Sequence, residues 1–486
     1  MRYRLLSYIL GQVAVVEAVL MCLPFILSMA LKENTLLAFG VTILILLALG
    51  APFIIKKPDS LDLTAKEGFV AVALSWILLS LFGSLPFFIS GSLPNFVDSL
   101  FESASGFTTT GGTVFDDVEV LPKSLLLWRS FTNWIGGMGA LVFIIAIIPK
   151  SNARIIHLFK AESPGPQVGK LVSKLKFTAR ILYAIYIVLT LLEIILLLIG
   201  RMPLFDSVIH AFGTAGTGGF SNKNLSVGGY GSVYIDIVIT IFMFLFAINF
   251  NIYYLILIGS VKQALKSEEL RAFLGIAALS VTIIAAALAI NSVYRSAHEI
   301  LRHTFFQVGS IMSTTAYFTA DFTAWPMAAQ AVLFILMFIG ACAGSTGGGL
   351  KVSRAVILVK AGIREIKKTI SPRTVNNLKF EGKKVDNETV GGVLSYFAIY
   401  MTIFFVSVIL LSVSGAGSAL KLGDSVMASA SCLNNVGSGF GNIGVKGSYA
   451  MFNSFAKIVL IFDMLAGRLE ILPMLLLFNP RTWAKK

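Results

Sequence analysis

Three short stretches of the chain combine residue types that are suited to binding a bare cation through backbone oxygens. Each stretch starts with an Asp-Ser pair and ends in small residues, and in each the aspartate precedes a glycine by 13 residues. The three pairs are Asp98 and Gly111, Asp206 and Gly219, and Asp424 and Gly437. Equal spacing in three distant parts of one chain indicates an internal repeat, and repeats constrain the architecture directly.

A fourth, degenerate copy follows if the same spacing is applied without a gap. Residues 304–317 then form this copy, with Thr304 at the aspartate position and Tyr317 at the glycine position. A shift by one residue places Ala316 at the glycine position instead. Neither register supplies a glycine, and none lies between Gly309 and Gly340.

The repeated stretches predict short helices that enter a membrane without crossing it. The aspartate, or Thr304, is suited to capping a helix N-terminus, and the small residues at the other end disfavour a helix. Between two long apolar segments, this pattern predicts a re-entrant half-helix followed by an extended loop. Non-helical backbone is tolerated at membrane depth only inside protein or beside water. The carbonyl groups at the helix C-terminus, which carry a partial negative charge, are expected to point inward.

Four such loops around one axis predict a ring of carbonyl oxygens, which can replace the hydration shell of a cation. The gap-free register predicts that the ring is built from the backbone of Thr109, Thr110 and Gly111, of Thr217, Gly218 and Gly219, of Thr315, Ala316 and Tyr317, and of Asn435, Val436 and Gly437. The alternative is a surface of small residues on which helices pack. Helix packing does not require a constant distance between an aspartate and a glycine, so the cation site is favoured.

The elements that must hold these loops are predicted to be membrane spans. Of 486 residues, 56% are hydrophobic and only 13% are charged, whereas about a quarter of a soluble domain is charged. Apolar runs such as 6–31, 178–200 and 390–414 are long enough to cross about 30 Å of hydrocarbon. The composition therefore predicts a multi-pass membrane protein and excludes a soluble enzyme, a disulfide scaffold and a disordered chain.

The net charge of +14 is concentrated beside the apolar runs. Residues 150–180 and 351–384 are rich in Lys and Arg, whereas residues 83–127 hold one lysine against five acidic residues. Because basic segments near spans remain in the cytoplasm, this asymmetry predicts topology and argues against a nucleic-acid partner. We expect a cytoplasmic N-terminus, a first apolar run that is retained as a span, and contacts of the basic segments with membrane lipids.

Residue types that carry covalent or metal chemistry are isolated from one another. The three cysteines and four histidines lack metal-ligand spacing, and no nucleophile lies near a general base on one predicted element. The sequence therefore predicts a protein that is not an enzyme and that has no covalent cofactor.

The repeats predict an all-α integral membrane protein with an N-terminal hairpin of two helices and four span–pore-loop–span repeats around one pseudo-fourfold pore. The predicted units are residues 1–60 for the hairpin, followed by the repeats 61–150, 151–262, 263–385 and 386–486. In the third repeat, seven small residues form the segment 343–349. Each glycine costs a helix about 1 kcal/mol relative to alanine, so the second span of this repeat is expected to break after about Cys342.

Two further features have alternative interpretations. The segment 343–349 is either a cytoplasmic turn or a broken span within the membrane, and a phosphate-binding P-loop is rejected because Leu350 rather than lysine follows Gly349. Arg468 lies in the middle of the last apolar segment, where an arginine usually faces a partner or water. It is either neutralised by Asp463 or Glu470, or it is a fixed positive charge in a cavity.

Together, the four repeats, the sequences Thr108-Thr109-Thr110-Gly111 and Asn434-Asn435-Val436-Gly437, and the glycine-rich string from Gly340 to Lys351 resemble the TrkH/KtrB family of potassium transporters. The resemblance covers nearly the whole chain, and the N-terminal hairpin makes it more similar to TrkH than to the shorter KtrB. It implies uptake of potassium, with rubidium also permeant, across the bacterial inner membrane. It also implies a homodimer and a cytosolic TrkA/KtrA-like ring that binds NAD or ATP/ADP, so that only the partner holds a nucleotide.

The resemblance further implies a gate below the carbonyl ring. It assigns Gly344, Gly347, Gly348 and Gly349 to a mobile loop that obstructs the pore, and Arg468 to a positive charge in the cavity beneath the ring. The alternative is a secondary cation carrier that works by alternating access. Such a carrier is expected to have inverted or paired repeats, whereas this chain repeats four loops in the same order.

Overall fold

The N-terminal hairpin is the first element of a computed structural model that describes residues 1–55, 57–58, 63–139, 175–372, 377–415, 420–445 and 447–484. Helices α1 (Tyr3–Leu31) and α2 (Leu36–Ile55) form this hairpin. They approach each other closely because both carry a glycine at the contact. A β-carbon on Gly11 would lie 2.9 Å from the carbonyl oxygen of Gly50.

The rest of the described chain repeats one order of elements four times: an outer span, a short helix, a loop and an inner helix. The first repeat contains α3 (Ala65–Gly83), α4 (Leu85–Ile89), α5 (Phe96–Phe107) and α6 (Lys123–Gly137). The second contains α7 (Leu175–Ile199), α8 (Leu204–Gly216), α9 (Val233–Ala247), α10 (Phe250–Leu257) and α11 (Val261–Leu265). The third contains α12 (Glu268–Ile290), α13 (Ala297–Met312), α14 (Met327–Ile339), α15 (Val352–Ile370) and a hairpin of β1 (Lys379–Phe380) with β2 (Lys383–Lys384). The fourth contains α16 (Asn387–Ser414), α17 (Leu422–Leu433), α18 (Ser454–Arg468), α19 (Leu472–Phe478) and α20 (Pro480–Trp483).

The chain is a multi-pass membrane protein. In the described part of the chain, six helical segments are long and apolar enough to cross a bilayer, and α9 with α10 forms a seventh if this pair, bent by 90°, is one span. The four re-entrant helices, by which we mean α5, α8, α13 and α17, are not among them. The predicted all-α membrane fold is therefore confirmed.

The inner helices are more broken than the apolar segments suggested. The segment 233–260 reads as one span, but Asn249 interrupts it by accepting a hydrogen bond of 3.0 Å from the backbone N–H of Asn251, which starts a new helix. The segment 453–478 is likewise interrupted, since Glu470 and Ile471 have φ values of 58° and 66°. Such values cannot continue a right-handed helix.

The inner helix of the third repeat ends at Ile339, three residues before the predicted break after about Cys342. The cause is local: Gly340 has φ of 71°, and a β-carbon there would lie only 2.4 Å from the carbonyl oxygen of Gly348. The chain therefore folds back on itself at this glycine, and the glycine-rich segment packs against the end of α14.

The re-entrant helices also start earlier than predicted. Asn95 caps α5 and Ser296 caps α13 by accepting hydrogen bonds from backbone N–H groups. The predicted caps Asp98, Asp206 and Asp424 lie in the first turns of their helices, where a negative charge is favourable. Thr304, the fourth predicted cap, lies in the middle of α13.

Aromatic side chains pack the inner helices onto the re-entrant helices. In the first repeat, the rings of Phe107 and Trp128 meet edge to face at 5.9 Å. The indole N–H of Trp128 donates to the carbonyl of Gly83, at the end of the outer span, at 3.0 Å. One hydrophobic core includes residues of the hairpin and of the first, third and fourth repeats, and a second core lies mainly within the second repeat. In the first repeat this packing fixes the C-terminal end of α5 against the inner helix.

Candidate functional site

The loops that follow the four re-entrant helices meet around one point. A β-carbon on Gly111 would lie 1.7 Å from the carbonyl oxygen of Gly218, and one on Gly219 would lie 1.7 Å from that of Thr315. A β-carbon on Gly437 would lie 1.9 Å from the carbonyl oxygen of Thr110. The fourth, first, second and third of these central loops are therefore successive neighbours, and a side chain has no room at these three contacts.

All four central loops share one backbone conformation. In each, φ is positive at two residues that are separated by one other residue. These residues are Thr109 and Gly111, Thr217 and Gly219, Thr314 and Ala316, and Asn435 and Gly437. The residue between them donates its N–H to a helix carbonyl in every loop at 2.9 Å, and these pairs are Thr110 with Ser105, Gly218 with Gly213, Thr315 with Ser310, and Val436 with Ser431.

The gap-free register of the third copy is therefore wrong by one residue. Ala316, with φ of 62°, has the glycine conformation, and Tyr317 follows it. The equivalent triplet is Thr314, Thr315 and Ala316, so Thr314 joins the candidate site. His303, not Thr304, lies 13 residues before the glycine position. The error arose because no aspartate marks the start of this copy.

The residue at the aspartate position ties each re-entrant helix to chain beyond its loop. The Asp206 carboxylate accepts from the side-chain amide of Asn222 at 2.8 Å, and Asp424 accepts from Asn442 at 3.0 Å. His303 Nδ1 lies 2.9 Å from the hydroxyl of Thr319. In the first repeat, Asp98 accepts from the ammonium group of Lys457 at 2.6 Å. The repeated aspartates thus act as braces of the site.

Three serines support the central loops from behind, and the sequence interpretation missed them. Their hydroxyls donate to the carbonyl of the residue after the glycine position: Ser105 to Gly112 at 2.6 Å, Ser310 to Tyr317 at 2.5 Å, and Ser431 to Ser438 at 3.0 Å. Each serine precedes the glycine position by six residues. This spacing is legible in the sequence, and it identifies Ala316 as the correct position.

A buried ion pair that the sequence interpretation did not find joins the first two loops. Arg129 Nε donates to the Glu102 carboxylate at 2.7 Å, and both side chains are almost fully buried. Glu102 also accepts from the backbone N–H of Val114 at 3.0 Å, while Arg129 donates to the carbonyl of Ser221 at 3.2 Å. No spacing rule links these residues, although buried charges within apolar sequence are a general indication of function.

The glycine-rich segment lies against the third and fourth central loops. The N–H of Gly348 donates to the hydroxyl of Thr314 at 2.8 Å, and a β-carbon on Gly348 would lie 2.4 Å from the carbonyl oxygen of Asn434. A β-carbon on Gly347 would lie 2.8 Å from the carbonyl oxygen of Ser313. Ser313 and Asn434 follow directly on α13 and α17, so the segment covers the C-terminal ends of these two helices.

Three charged side chains hold the glycine-rich segment in place. Arg468 donates to the carbonyl of Thr346 at 2.7 Å. Lys351 Nζ donates to the carbonyl of Gly347 at 2.6 Å. The Glu269 carboxylate accepts from the backbone N–H groups of Ala343 at 2.7 Å and Ser353 at 3.2 Å, the first residue of the segment and one beyond its end.

Arg468 also joins this segment to the first repeat. Its guanidinium donates to the carbonyl groups of Gly136 and Gly137, the latter at 3.0 Å. The two carboxylates that the sequence suggests as its partners bond elsewhere: Asp463 accepts from Ser407 at 2.6 Å, and Glu470 pairs with Arg354. The arginine therefore bridges an inner helix and the glycine-rich segment next to the central loops.

The oxygen atoms that the four central loops carry are backbone carbonyls and the hydroxyl or amide oxygens of their small side chains. In the described ranges, no group of three His, Cys, Asp or Glu residues is placed to bind a metal ion. Oxygen donors without formal charge suit a weakly held monovalent ion.

The basic segment 150–180 lies largely outside the described residues. Lys367 and Lys368 are described and exposed on α15.

Three comparisons place the chain among known proteins. Residues 35–485 match the family model described as TrkH, a cation transport protein. The Trk system potassium uptake protein TrkH of Salmonella typhimurium is 36% identical, over 99% of this chain and 100% of that protein. TrkG of Escherichia coli, also a Trk system potassium uptake protein, is 32% identical over 99% of this chain and 98% of that protein. The crystal structure of the potassium transporter TrkH from Vibrio parahaemolyticus matches with a TM-score of 0.89 and 32% identity, over 100% of both chains.

Proposed function

Because the chain belongs to the TrkH family of cation transport proteins, we propose that it takes up potassium through a channel-like pore whose narrowest part is the ring of central loops. The relatives that match over their full length are named as potassium uptake proteins, which supports the choice of ion. A transport protein of this kind performs no covalent chemistry on its cargo. The proposed location is the bacterial inner membrane.

The backbone conformation that the four central loops share is the main observation in support of this proposal. Alternation of positive and negative φ along a strand turns successive carbonyls toward the same side, so that each loop presents oxygens to one axis. The proposed selectivity filter consists of Thr109 to Gly111, Thr217 to Gly219, Thr314 to Ala316, and Asn435 to Gly437. The re-entrant helices direct their C-terminal ends at this ring, which adds a favourable field for a cation.

The glycine-rich segment and Arg468 are proposed to form the gate. Residues Gly344 to Gly349 lie between the ring and α15, whose basic sequence places it on the cytoplasmic side. The segment has little side-chain bulk, and three charged residues hold it as one unit. It is therefore suited to moving as one piece when these contacts are released. Arg468 adds a positive charge beside the ion path, where the low dielectric strengthens repulsion of a cation.

A cytosolic nucleotide-binding ring of the TrkA/KtrA type is the proposed regulator, and a homodimer is the proposed assembly. Helix α15 carries exposed basic residues at its cytoplasmic end, which supports docking of an acidic or polar partner there. Lipid headgroups are proposed to contact the same basic surface.

Charge reversal at Lys367 and Lys368 is expected to weaken docking of such a ring at least several-fold, because it replaces attraction by repulsion at two exposed positions. Co-purification of the co-expressed ring with the tagged chain measures this. The matched control is Lys223→Glu, which reverses a half-exposed lysine that pairs with Glu119 of the acidic segment 83–127. Undiminished binding of the ring to the Lys367→Glu/Lys368→Glu variant would leave the basic residues with a role in topology only.

Ion flux from the purified chain in liposomes tests the proposed function. We expect uptake of potassium and rubidium and much slower uptake of sodium and lithium. In planar bilayers, we expect current steps from single molecules, because a continuous pore passes many ions for each opening. Flux without unitary steps would instead indicate the alternating-access carrier, and equal flux of all four ions would contradict a selective carbonyl ring.

A further inference from the structure

The second central loop lacks the support that the other three loops share. In the first, third and fourth loops, a serine hydroxyl of the re-entrant helix holds the carbonyl of the residue after the glycine position. The second repeat has Gly213 at the serine position, six residues before Gly219. The carbonyl that corresponds to Gly112, Tyr317 and Ser438 belongs to Phe220. The two hydroxyls of its own helix donate elsewhere, Thr214 to the carbonyl of His210 and Ser207 to those of Met202 and Pro203.

A side chain from the neighbouring loop occupies this gap. The hydroxyl of Tyr317 lies 3.1 Å from the carbonyl oxygen of Phe220 and 3.1 Å from that of His210. A β-carbon on Gly213 would lie only 2.1 Å from the same hydroxyl oxygen. The phenol group of Tyr317 thus lies where a serine side chain would be, and the tyrosine side chain is fully buried.

Several contacts make this placement specific. The ring of Tyr317 packs on the imidazole of His210 at 5.5 Å, so the phenol is oriented by its own packing. The backbone carbonyl of Tyr317 accepts from Ser310 in the usual way, which fixes the residue at both ends. Its neighbour Ala316 already takes the glycine conformation, and the side chain of Tyr317 is thereby directed away from the centre and toward the second repeat.

We infer that Tyr317 is a positioning residue for the second loop of the proposed filter, supplying from the third repeat the hydroxyl that the second repeat lacks. The inference rests on the proposed function for its effect on ion selectivity. Its structural basis is the pairing of Gly213 with Tyr317, because the absence of a side chain at Gly213 makes room for the hydroxyl of Tyr317.

The test is a double-mutant cycle in the full-length chain, with Tyr317→Phe, Gly213→Ser and the combined variant. Tyr317→Phe removes the hydroxyl, so the sodium concentration that halves rubidium uptake is expected to fall about 2- to 10-fold, the range that one intramolecular hydrogen bond contributes. Gly213→Ser alone is also expected to lower this sodium concentration, because its β-carbon overlaps the tyrosine hydroxyl. The combined variant restores a serine hydroxyl in cis and relieves the 2.1 Å overlap, leaving the β-carbon 3.0 Å from the ring Cζ, so a small shift of the ring is expected to recover most of the sodium resistance.

The matched control is Tyr8→Phe, which removes the hydroxyl of another buried tyrosine, in the N-terminal hairpin. It is expected to leave sodium inhibition unchanged. The thermal midpoint of the detergent-solubilised variants gives a second readout that does not depend on transport. A combined variant no better than Tyr317→Phe in sodium inhibition and in thermal midpoint would overturn the inference, as would an unchanged sodium inhibition in Tyr317→Phe. If the wild type transports no potassium or rubidium selectively, the proposed function fails, whereas the thermal cycle still decides whether the two residues are coupled.

Discussion

Gly111→Ala is expected to abolish selective potassium uptake while the rest of the chain still folds. The new β-carbon would lie 1.7 Å from the carbonyl oxygen of Gly218, which is far inside contact distance, so the first or second loop must move. Strain at φ of 78° adds about 1–2 kcal/mol. That strain alone corresponds to roughly tenfold in an equilibrium, and displacement of a carbonyl from the ring is expected to lower uptake by at least about 100-fold. Rubidium uptake into liposomes measures the loss.

A matched control separates strain from overlap. Gly91 has φ of 75°, nearly the same as Gly111, but a β-carbon there meets no atom within 4 Å. Gly91→Ala therefore carries a similar conformational cost without a clash, and we expect it to retain uptake with a modestly lower thermal midpoint. Equal rubidium uptake by the Gly111→Ala and Gly91→Ala variants, both well folded, would contradict the proposed ring.

The reverse change at the third loop has the opposite expected sign. Ala316 is a non-glycine residue with φ of 62°, so Ala316→Gly relieves about 1–2 kcal/mol of strain. We expect a higher thermal midpoint and weaker inhibition of rubidium uptake by sodium, because the third loop then holds its carbonyls without opposing strain. Unchanged sodium inhibition would show that packing behind the loop already keeps the backbone in place.

The sequence predicted the repeat better than it predicted the local details of the loops. The 13-residue spacing from Asp98, Asp206 and Asp424 marked three loops that the structure brings together, because these aspartates brace chain beyond the loops. The third loop was misplaced by one residue since His303 performs the same bracing with a different side chain. A pattern of one residue type could not reveal that substitution, whereas the serines at the sixth position before the glycine would have.

The interactions that join different repeats could not be predicted from the sequence. Arg129 of the first repeat donates to Ser221 of the second, and Tyr317 of the third lies over Gly213 of the second. Such contacts depend on how four separate units are arranged in space, and no periodicity within one unit encodes them. The breaks in the inner helices were missed for a related reason, since long apolar runs indicate membrane depth but not continuity.

Arg468 is the residue through which contacts between repeats extend to the proposed gate. Its side chain comes from the fourth repeat, and three carbonyl groups to which it donates in the described part of the chain lie in the first repeat and in the glycine-rich segment of the third. It therefore contributes both a positive charge and a mechanical link. The two contributions can be separated, since lysine keeps the charge but cannot reach several carbonyls with a planar fork of donors.

Arg468→Ala is expected to raise potassium flux about tenfold or more. A positive charge in a region of low dielectric opposes a cation by a few kcal/mol, and about 1.4 kcal/mol already corresponds to tenfold in rate. The substitution also frees the carbonyl of Thr346, so the glycine-rich segment loses a contact that holds it beside the ring. Deletion of residues 345–347 is also expected to raise flux, because it shortens the obstruction and removes the Thr346 carbonyl that Arg468 holds, while the positive charge of the arginine stays.

Comparison of three variants distinguishes charge from bracing. Arg468→Lys is expected to give a flux between those of the wild type and Arg468→Ala if the charge and the link both matter, and a flux equal to that of Arg468→Ala if bracing alone sets the barrier. Arg271→Ala serves as the control, since this exposed arginine on α12 bonds to backbone of its own helix start, and we expect it to leave flux unchanged. Rubidium flux measured at matched protein density reports all of these effects. Unchanged or lower flux in a well-folded Arg468→Ala variant would exclude the arginine as a barrier. The charge and the carbonyl contacts of Arg468 would then serve only to stabilise the structure.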